Sequence, residues 1–218
     1  RGFQAQKGLS VALDFNFLHQ YLQKVTPPRT AVLKEMEKLA EKKDFPIIGP
    51  LVGRFLYQLV KFTGARRVFE LGSGYGYSAV WFALALPEGG KVFCTDGEEE
   101  NWQRAENFFK KAGLLNRLHF QVGDGVEILK KSAGKFDIIL NDIDKEDYPK
   151  ALKAAIPKLK KGGILVSDNM FRDGEIFKHP KDSDSRGVIT YTKMIYSDKR
   201  LFSSIMPIRD GISISIKL

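Results

Sequence analysis

Two short segments set oxygen-bearing side chains where they could bind a metal. Residues 141–145 read Asn141-Asp142-Ile143-Asp144-Lys145, and residues 167–169 read Ser167-Asp168-Asn169. Each ends a short apolar run of the kind that forms a buried strand, 136–141 and 162–167. Strands that neighbour each other in one sheet have their ends about 4.8 Å apart. Asp142, Asp168 and Asn169 then offer three oxygen ligands at one edge, with room for waters or substrate oxygens. No His or Cys lies beside them in the sequence. The set therefore suits a hard cation, Mg²⁺ or Ca²⁺, rather than Zn²⁺. Asp and Asn are also ordinary turn and cap residues, so these residues alone leave both readings open.

A third segment bears on the choice. Residues 68–76 read Val-Phe-Glu-Leu-Gly-Ser-Gly-Tyr-Gly, and an apolar stretch begins at Tyr77. This is a buried strand, a glycine turn and a helix, the layout that holds nucleotide-like cofactors at the carboxyl edge of a parallel sheet. A dinucleotide fingerprint needs a third glycine at position 77, where Tyr77 stands. Gly72, Gly74 and Gly76, with Glu70 two residues before them, instead match the pattern of S-adenosylmethionine (SAM) enzymes. Charge agrees: SAM carries a sulfonium and an ammonium, and Glu70, Asp96 and Asp142 all end strand candidates. Asp96 can accept both ribose hydroxyls, Glu70 can bind the α-amino group, and Ser78, near a helix N-terminus, can hold the carboxylate. Gly123-Asp124-Gly125 offers either a slot for an adenine edge or a helix cap. A donor site beside the acidic pair, with Lys145 three residues past Asp142, favours the cation reading.

The elements that must position these residues follow from periodicity. Asp14 is a cap candidate for a helix reaching Val25, ended by Pro27-Pro28. Helical patterns cover 29–43 and the stripe from Leu51 to Val60, closed by Gly64. Strand candidates at 66–71, 91–96, 118–123, 136–141 and 162–167 alternate with helices at 77–85, 99–112, 125–131 and 147–159. The charged stretch 170–186 reads as an irregular lid or substrate loop. After a helix near 187–197, runs at 201–207 and 212–218 are separated by Ile208-Arg209-Asp210-Gly211, in which Asp-Gly is a hairpin signal. The prediction is an α/β fold: a doubly wound, mostly parallel, seven-stranded Rossmann-like sheet with a C-terminal antiparallel hairpin strand and N-terminal helices. One domain is expected over 1–218, with 1–64 a helical cap and 65–218 the core.

Composition narrows the class. Cys94 is the only cysteine among 218 residues, so no internal disulfide can form, which fits a reducing cytoplasm. No apolar run is long enough to span a bilayer and no signal-like segment opens the sequence, so a membrane partner is not expected. The net charge of +9 is spread along polar helix faces rather than gathered in a basic block. It reads first as solubility and second as an anionic partner such as a CoA ester or RNA.

From about Phe45 onward the chain resembles the metal-dependent O-methyltransferases of the catechol and caffeoyl-CoA type. The resemblance rests on Glu70-Leu-Gly-Ser-Gly-Tyr-Gly-Tyr-Ser78, Asp142-Ile-Asp-Lys-Glu-Asp-Tyr148, Asp168-Asn169 and Pro207-Ile-Arg-Asp-Gly211. It implies that Asp142, Asp168 and Asn169 hold a divalent cation, and that Lys145 is the base, with Asp142 beside it in the catalytic set. It also implies a SAM site lined by Ile48, Glu70, Gly72, Ser73, Ser78, Asp96, Gly125 and Asp142. The implied acceptor is a small molecule with vicinal hydroxyls. A tRNA 5-hydroxyuridine, whose adjacent oxygens suit the same site, is the alternative. Cytoplasmic homodimers are usual in such a family. The chain departs from the pattern at Met170-Phe-Arg-Asp173, where an aromatic wall is common. Arg172 there suggests a more polar or anionic substrate, and Asp173 falls at a substrate-contacting position of plant members.

Overall fold

The computed structural model describes residues 15–178 and 180–218, so Asp14, the expected cap of the first helix, lies outside the described residues. Three helices come first: α1 (Phe15–Val25), α2 (Ala31–Lys43) and α3 (Gly49–Thr63). Strand and helix then alternate through β1 (Arg67–Leu71), α4 (Tyr77–Ala85), β2 (Lys91–Asp96), α5 (Glu99–Lys111), β3 (Leu118–Val122), α6 (Gly125–Lys131), β4 (Phe136–Asn141), α7 (Tyr148–Lys158) and β5 (Leu159–Ser167). Helix α8 (Ser183–Ser197) precedes β6 (Leu201–Met206) and β7 (Ile212–Lys217).

The seven strands form one sheet in the order β3-β2-β1-β4-β5-β7-β6. The first five run parallel, and β7 pairs antiparallel with both β5 and β6. The chain runs outward from β1 to β3 and then restarts at β4 on the other side of β1. This reversal leaves a crevice beyond the carboxyl ends of β1 and β4, where ligands bind in such sheets.

Side chains alternate across the sheet. Val68, Val92, Cys94, Ile138, Leu140 and Val166 face one core, built with α2, α3 and α4. Phe69, Leu71, Ile139 and Leu165 face the other, built with α6, α7 and α8. Eight of the nine residues of α4 are buried, as a helix held between a sheet and a second helical layer must be. Helix α3 comes so close that a Cβ on Gly53 would lie 2.2 Å from Trp81 Nε1.

Three expectations need correction. Strand β3 is mostly exposed, because it is an edge strand and not covered on both faces as a central strand would be. Strand β5 begins at Leu159 rather than at residue 162: buried Leu159 pairs with Phe136 across a register irregularity, and the Gly162-Gly163 pair lies inside the strand instead of opening it. The stretch 170–186 is not a free loop. Arg172–Phe177 is a short 3₁₀ segment, pinned where Phe171 N donates to Asp210 O at 2.8 Å and Asp173 N to Asp210 Oδ1 at 2.7 Å. Its end is already helix, since the Asp182 side chain caps α8 by accepting from Ser185 N at 2.7 Å. The hairpin turn falls at the expected Ile208-Arg209-Asp210-Gly211 connection. Gly211 N donates to Ile208 O at 2.9 Å, so Arg209 and Asp210 are the central pair, with Arg209 at a left-handed φ of 52°.

Candidate active site

A cavity of about 380 Å³ opens at the β1–β4 crevice. Its wall includes Ile48, Gly72, Ser73, Ser78, Asp96, Gly125, Asp142, Lys145, Asp168 and Asn169, ten residues singled out from the sequence. Register explains why they meet. Leu71 pairs with Asn141, and Asn141 with Ser167, so the residues that follow each strand share one edge. Glycine is required at position 72: its φ is +78°, and a Cβ there would lie 2.5 Å from the Asp142 carbonyl oxygen. Gly125 is equally tight, since its Cβ would lie 2.5 Å from Thr95 Oγ1.

The glycine-turn side of the cavity is held by several hydrogen bonds. Asp96 Oδ2 accepts from Gly74 N at 2.9 Å, while its Oδ1 accepts from Glu98 N at 3.0 Å and Asn101 Nδ2 at 2.9 Å. This carboxylate thus fixes the glycine turn while it lines the cavity. Asp124 caps α6 by accepting from Val126 N and Glu127 N, so the cap reading of that turn is right for Asp124, while Gly123 and Gly125 reach the cavity wall. Tyr75 and Tyr77 tie the turn to α2: Tyr75 Oη donates to Met36 O at 3.0 Å, and Tyr77 Oη to Glu37 Oε1 at 2.6 Å. The α2–α3 loop, from Phe45 to Ile48, closes over the same cavity.

Glu70 sits one layer deeper than expected. Strand alternation turns it with Val68 toward α4, where it is fully buried and accepts a hydrogen bond from Ser78 Oγ. It is absent from the residues lining the cavity; Ser73 and Ser78 lie between. Burial, opposed by the hydrogen bonds from Ser78 and Ser73, raises its pKa to about 7. A group whose folded pKa is raised contributes stability at pH values below its unfolded pKa. That contribution is lost as pH rises through the folded value. The ligand-free protein is therefore expected to lose stability between pH 5 and 8 by this route. A Glu70→Gln variant is expected to show a shallower loss in urea titrations across that window; an identical slope would remove Glu70 as the cause.

The acidic side brings Asp142, Lys145, Asp168 and Asn169 together. Lys145 Nζ donates to Asp142 Oδ1 at 2.9 Å and to Ile143 O at 3.1 Å. Asn169 Nδ2 donates to Asp210 Oδ2 at 3.1 Å. A carboxylate only accepts, so this bond sets the amide orientation and leaves the carbonyl oxygen available. Asp168 is 1% exposed; Oδ2 accepts from Arg209 Nη1 at 3.2 Å, and Oδ1 has no hydrogen-bond partner among the described residues. Burial first, then the neighbouring Asp142, pushes its pKa up to about 7. Tyr148 braces the two strand ends from below, donating to Asp168 O at 2.9 Å and to Asn141 O at 3.3 Å.

A buried carboxylate with an orphaned oxygen is short of positive charge. Two carboxylates and an amide oxygen are hard donors, so the residues present fit Mg²⁺ or Ca²⁺. Among the described residues no cluster of three His, Cys, Asp or Glu side chains occurs; here the third donor is the amide of Asn169.

Arg172 and Asp173 do not join the wall of this cavity. Arg172 is drawn to the start of α8, with Nη2 3.2 Å from Asp184 Oδ2 and 3.9 Å from Asp182 Oδ1, and the Asp173 backbone is held by Asp210. Arg209 was missed as a site residue. It sits 41 positions from Asp168 in a hairpin turn, and no spacing rule connects the two; the signal was its place in the Pro207–Gly211 stretch that carries part of the family resemblance.

The chain matches the O-methyltransferase family model over residues 23–218. It is 30% identical over 220 residues to caffeoyl-CoA O-methyltransferase 1 of Arabidopsis thaliana, covering 93% of this chain and 85% of that protein. It is 29% identical over 231 residues to the caffeoyl-CoA O-methyltransferase of Medicago sativa, covering 98% and 93%. In three dimensions it is similar to an O-methyltransferase from Bacillus cereus solved with S-adenosylhomocysteine, at a TM-score of 0.85 and 25% identity over 93% of this chain and 97% of that one. A glycine turn and an acidic pair on one crevice, a family match across nearly the whole chain, and the same fold in a solved relative lead to one assignment: this chain belongs to the O-methyltransferase family and is an enzyme of that class.

Proposed function

We propose that the protein transfers a methyl group from SAM to one hydroxyl of a small vicinal diol, of catechol or caffeoyl type, with a divalent cation held by Asp142, Asp168 and Asn169. The observation that carries this reading is Asp168, a buried carboxylate with one oxygen unpartnered, beside Asp142 and within the cavity that also contains Lys145. SAM as donor is supported by the product-bound Bacillus relative and by the acidic edge of the crevice. The caffeoyl-CoA relatives support a diol acceptor; the tRNA alternative has no support from any relative described above. A cytoplasmic homodimer belongs to this reading on the family resemblance alone.

A bound divalent cation supplies positive charge that favours the ionised form of the acceptor hydroxyl. Lys145, oriented by Asp142 and the Ile143 carbonyl, is the group placed to take the acceptor proton. The acceptor oxygen then forms its bond to the methyl carbon as the carbon–sulfur bond breaks, which leaves S-adenosylhomocysteine. Asp96 and the glycine turn hold the ribose end of the donor, and Ser78, backed by Glu70, its amino-acid end. Phe45 to Ile48 limit water at the reacting atoms. Positioning in a dry site is the main contribution of the protein.

Incubation with SAM and a panel of catechols and caffeoyl esters, with total tRNA as a parallel acceptor, is expected to give methylated diol that disappears with EDTA. Undiminished turnover in EDTA would remove the cation from the mechanism, and methylation of tRNA alone would replace the acceptor. Asp96→Ala is expected to weaken SAM binding by about 10–100-fold in calorimetry, the worth of lost hydrogen bonds to a charged group. Unchanged affinity would cancel the ribose assignment.

A further inference from the structure

The hairpin turn between β6 and β7 holds two of the three proposed cation ligands. Arg209 holds Asp168 through a single contact, Nη1 to Oδ2 at 3.2 Å. The next residue, Asp210, holds the amide of Asn169 at 3.1 Å. Arg209 itself is a non-glycine residue at φ 52°, a backbone state that costs energy and persists where the surroundings require it. Its side chain is about one-third exposed and lines the cavity, whereas that of Asp168 is 1% exposed. The guanidinium therefore has open space beside it, and the carboxylate does not.

Charge explains the pairing. Asp142 and Asp168 bring two carboxylates to one edge. Lys145 is bonded to Asp142 and to the Ile143 carbonyl, which leaves Asp168 to Arg209. A buried carboxylate without a counter-charge would be strongly destabilising. Yet Arg209 uses one of its five N–H donors on Asp168, and Oδ1 stays unsatisfied. A divalent ion with twice the charge and several oxygen contacts is a better partner than this single-point ion pair.

We propose that Arg209 is an internal stand-in cation: it neutralises Asp168 while the site lacks a metal, and it gives up the Asp168 contact, turning into the cavity, when a divalent cation binds. This rests on the proposed cation site. Arg209 then lowers the apparent metal affinity, because the incoming ion must displace it and must approach a like charge, and in return it keeps the metal-free site folded.

The test is Mn²⁺ affinity by calorimetry at pH 8.5 for the wild-type protein, Arg209→Met and Arg209→Lys. Arg209→Met is expected to bind Mn²⁺ about tenfold more tightly, with Arg209→Lys close to wild type. Equal or weaker binding by a folded Arg209→Met protein overturns the inference and leaves the cation site standing. Failure of the wild-type protein and both variants to bind Mn²⁺ overturns the cation site itself, and the inference with it. Crystals of the wild-type protein grown with and without Mn²⁺ give a readout that needs no variant. The Arg209–Asp168 contact is expected to open beyond hydrogen-bond range with the ion bound, and a contact retained at 3.2 Å overturns the inference.

Discussion

Replacing Lys145 with alanine is expected to lower kcat by about 10²–10⁴-fold, the usual contribution of a positioned general base, while SAM affinity stays within about twofold. The separation follows from geometry. Lys145 touches Asp142 and the Ile143 carbonyl, on the acidic side of the cavity, whereas the glycine turn and Asp96 form the other side. Asp142 loses a hydrogen bond in the variant but keeps its place, because its backbone N donates to Leu71 O at 3.0 Å. Single-turnover rates paired with equilibrium SAM titrations make the check. A variant that loses donor affinity and rate in the same proportion would mean that Lys145 holds the cofactor instead of moving a proton. A rise in the pH optimum with little change in rate would point to a different base.

Gly187→Ala is expected to destabilise the protein by at least about 2 kcal/mol and to lower kcat by about tenfold or more, with a smaller effect on SAM binding. Gly187 lies in α8, where alanine would ordinarily be favoured by about 1 kcal/mol. Its packing reverses that preference. A Cβ at this position would lie 2.2 Å from the Lys145 carbonyl oxygen and 2.7 Å from Glu146 Cα. Both are backbone atoms, which cannot turn aside as a side chain can. Either α8 or the Lys145 loop must shift, and α8 is anchored by buried Val188, Tyr191 and Ile195. Misplacement of a catalytic group by about 1 Å can cost 10²-fold in rate. Thermal melts and kcat measured together decide the matter: a variant as stable and as fast as wild type would show that the loop moves freely and that its position is not set by α8.

Both predictions concern residues whose environments differ in how far the sequence could reveal them. Lys145 was readable because it lies three positions from Asp142 in a segment that must turn out of a strand. Gly187 was not, because a glycine inside a helical pattern carries no sign of what it packs against, and its partner lies some 40 residues earlier. Arg209 and Asp168 form a pair of the same sort. The displacement of Glu70 from wall to underlayer has a different cause. Its place at the end of β1 was plain, but the face it points to depends on strand register and on which helix covers that face.

Local chemistry along the chain was enough to determine the alternation of strands and helices, the glycine turn, and the convergence of Asp142 and Asp168 at one sheet edge. These depend on periods of two and 3.6 residues and on the tendency of consecutive strands to lie side by side in a parallel sheet. Tertiary structure decided which of the candidate residues share the cavity. It drew Arg172 to Asp184 and Asp182, fixed Asp173 on Asp210, sank Glu70 beneath Ser78, and brought Arg209 to a carboxylate that sequence distance had hidden. Ion pairs and close packing depend on positions in space, and residues far apart in the chain become neighbours only when the sheet closes its last hairpin.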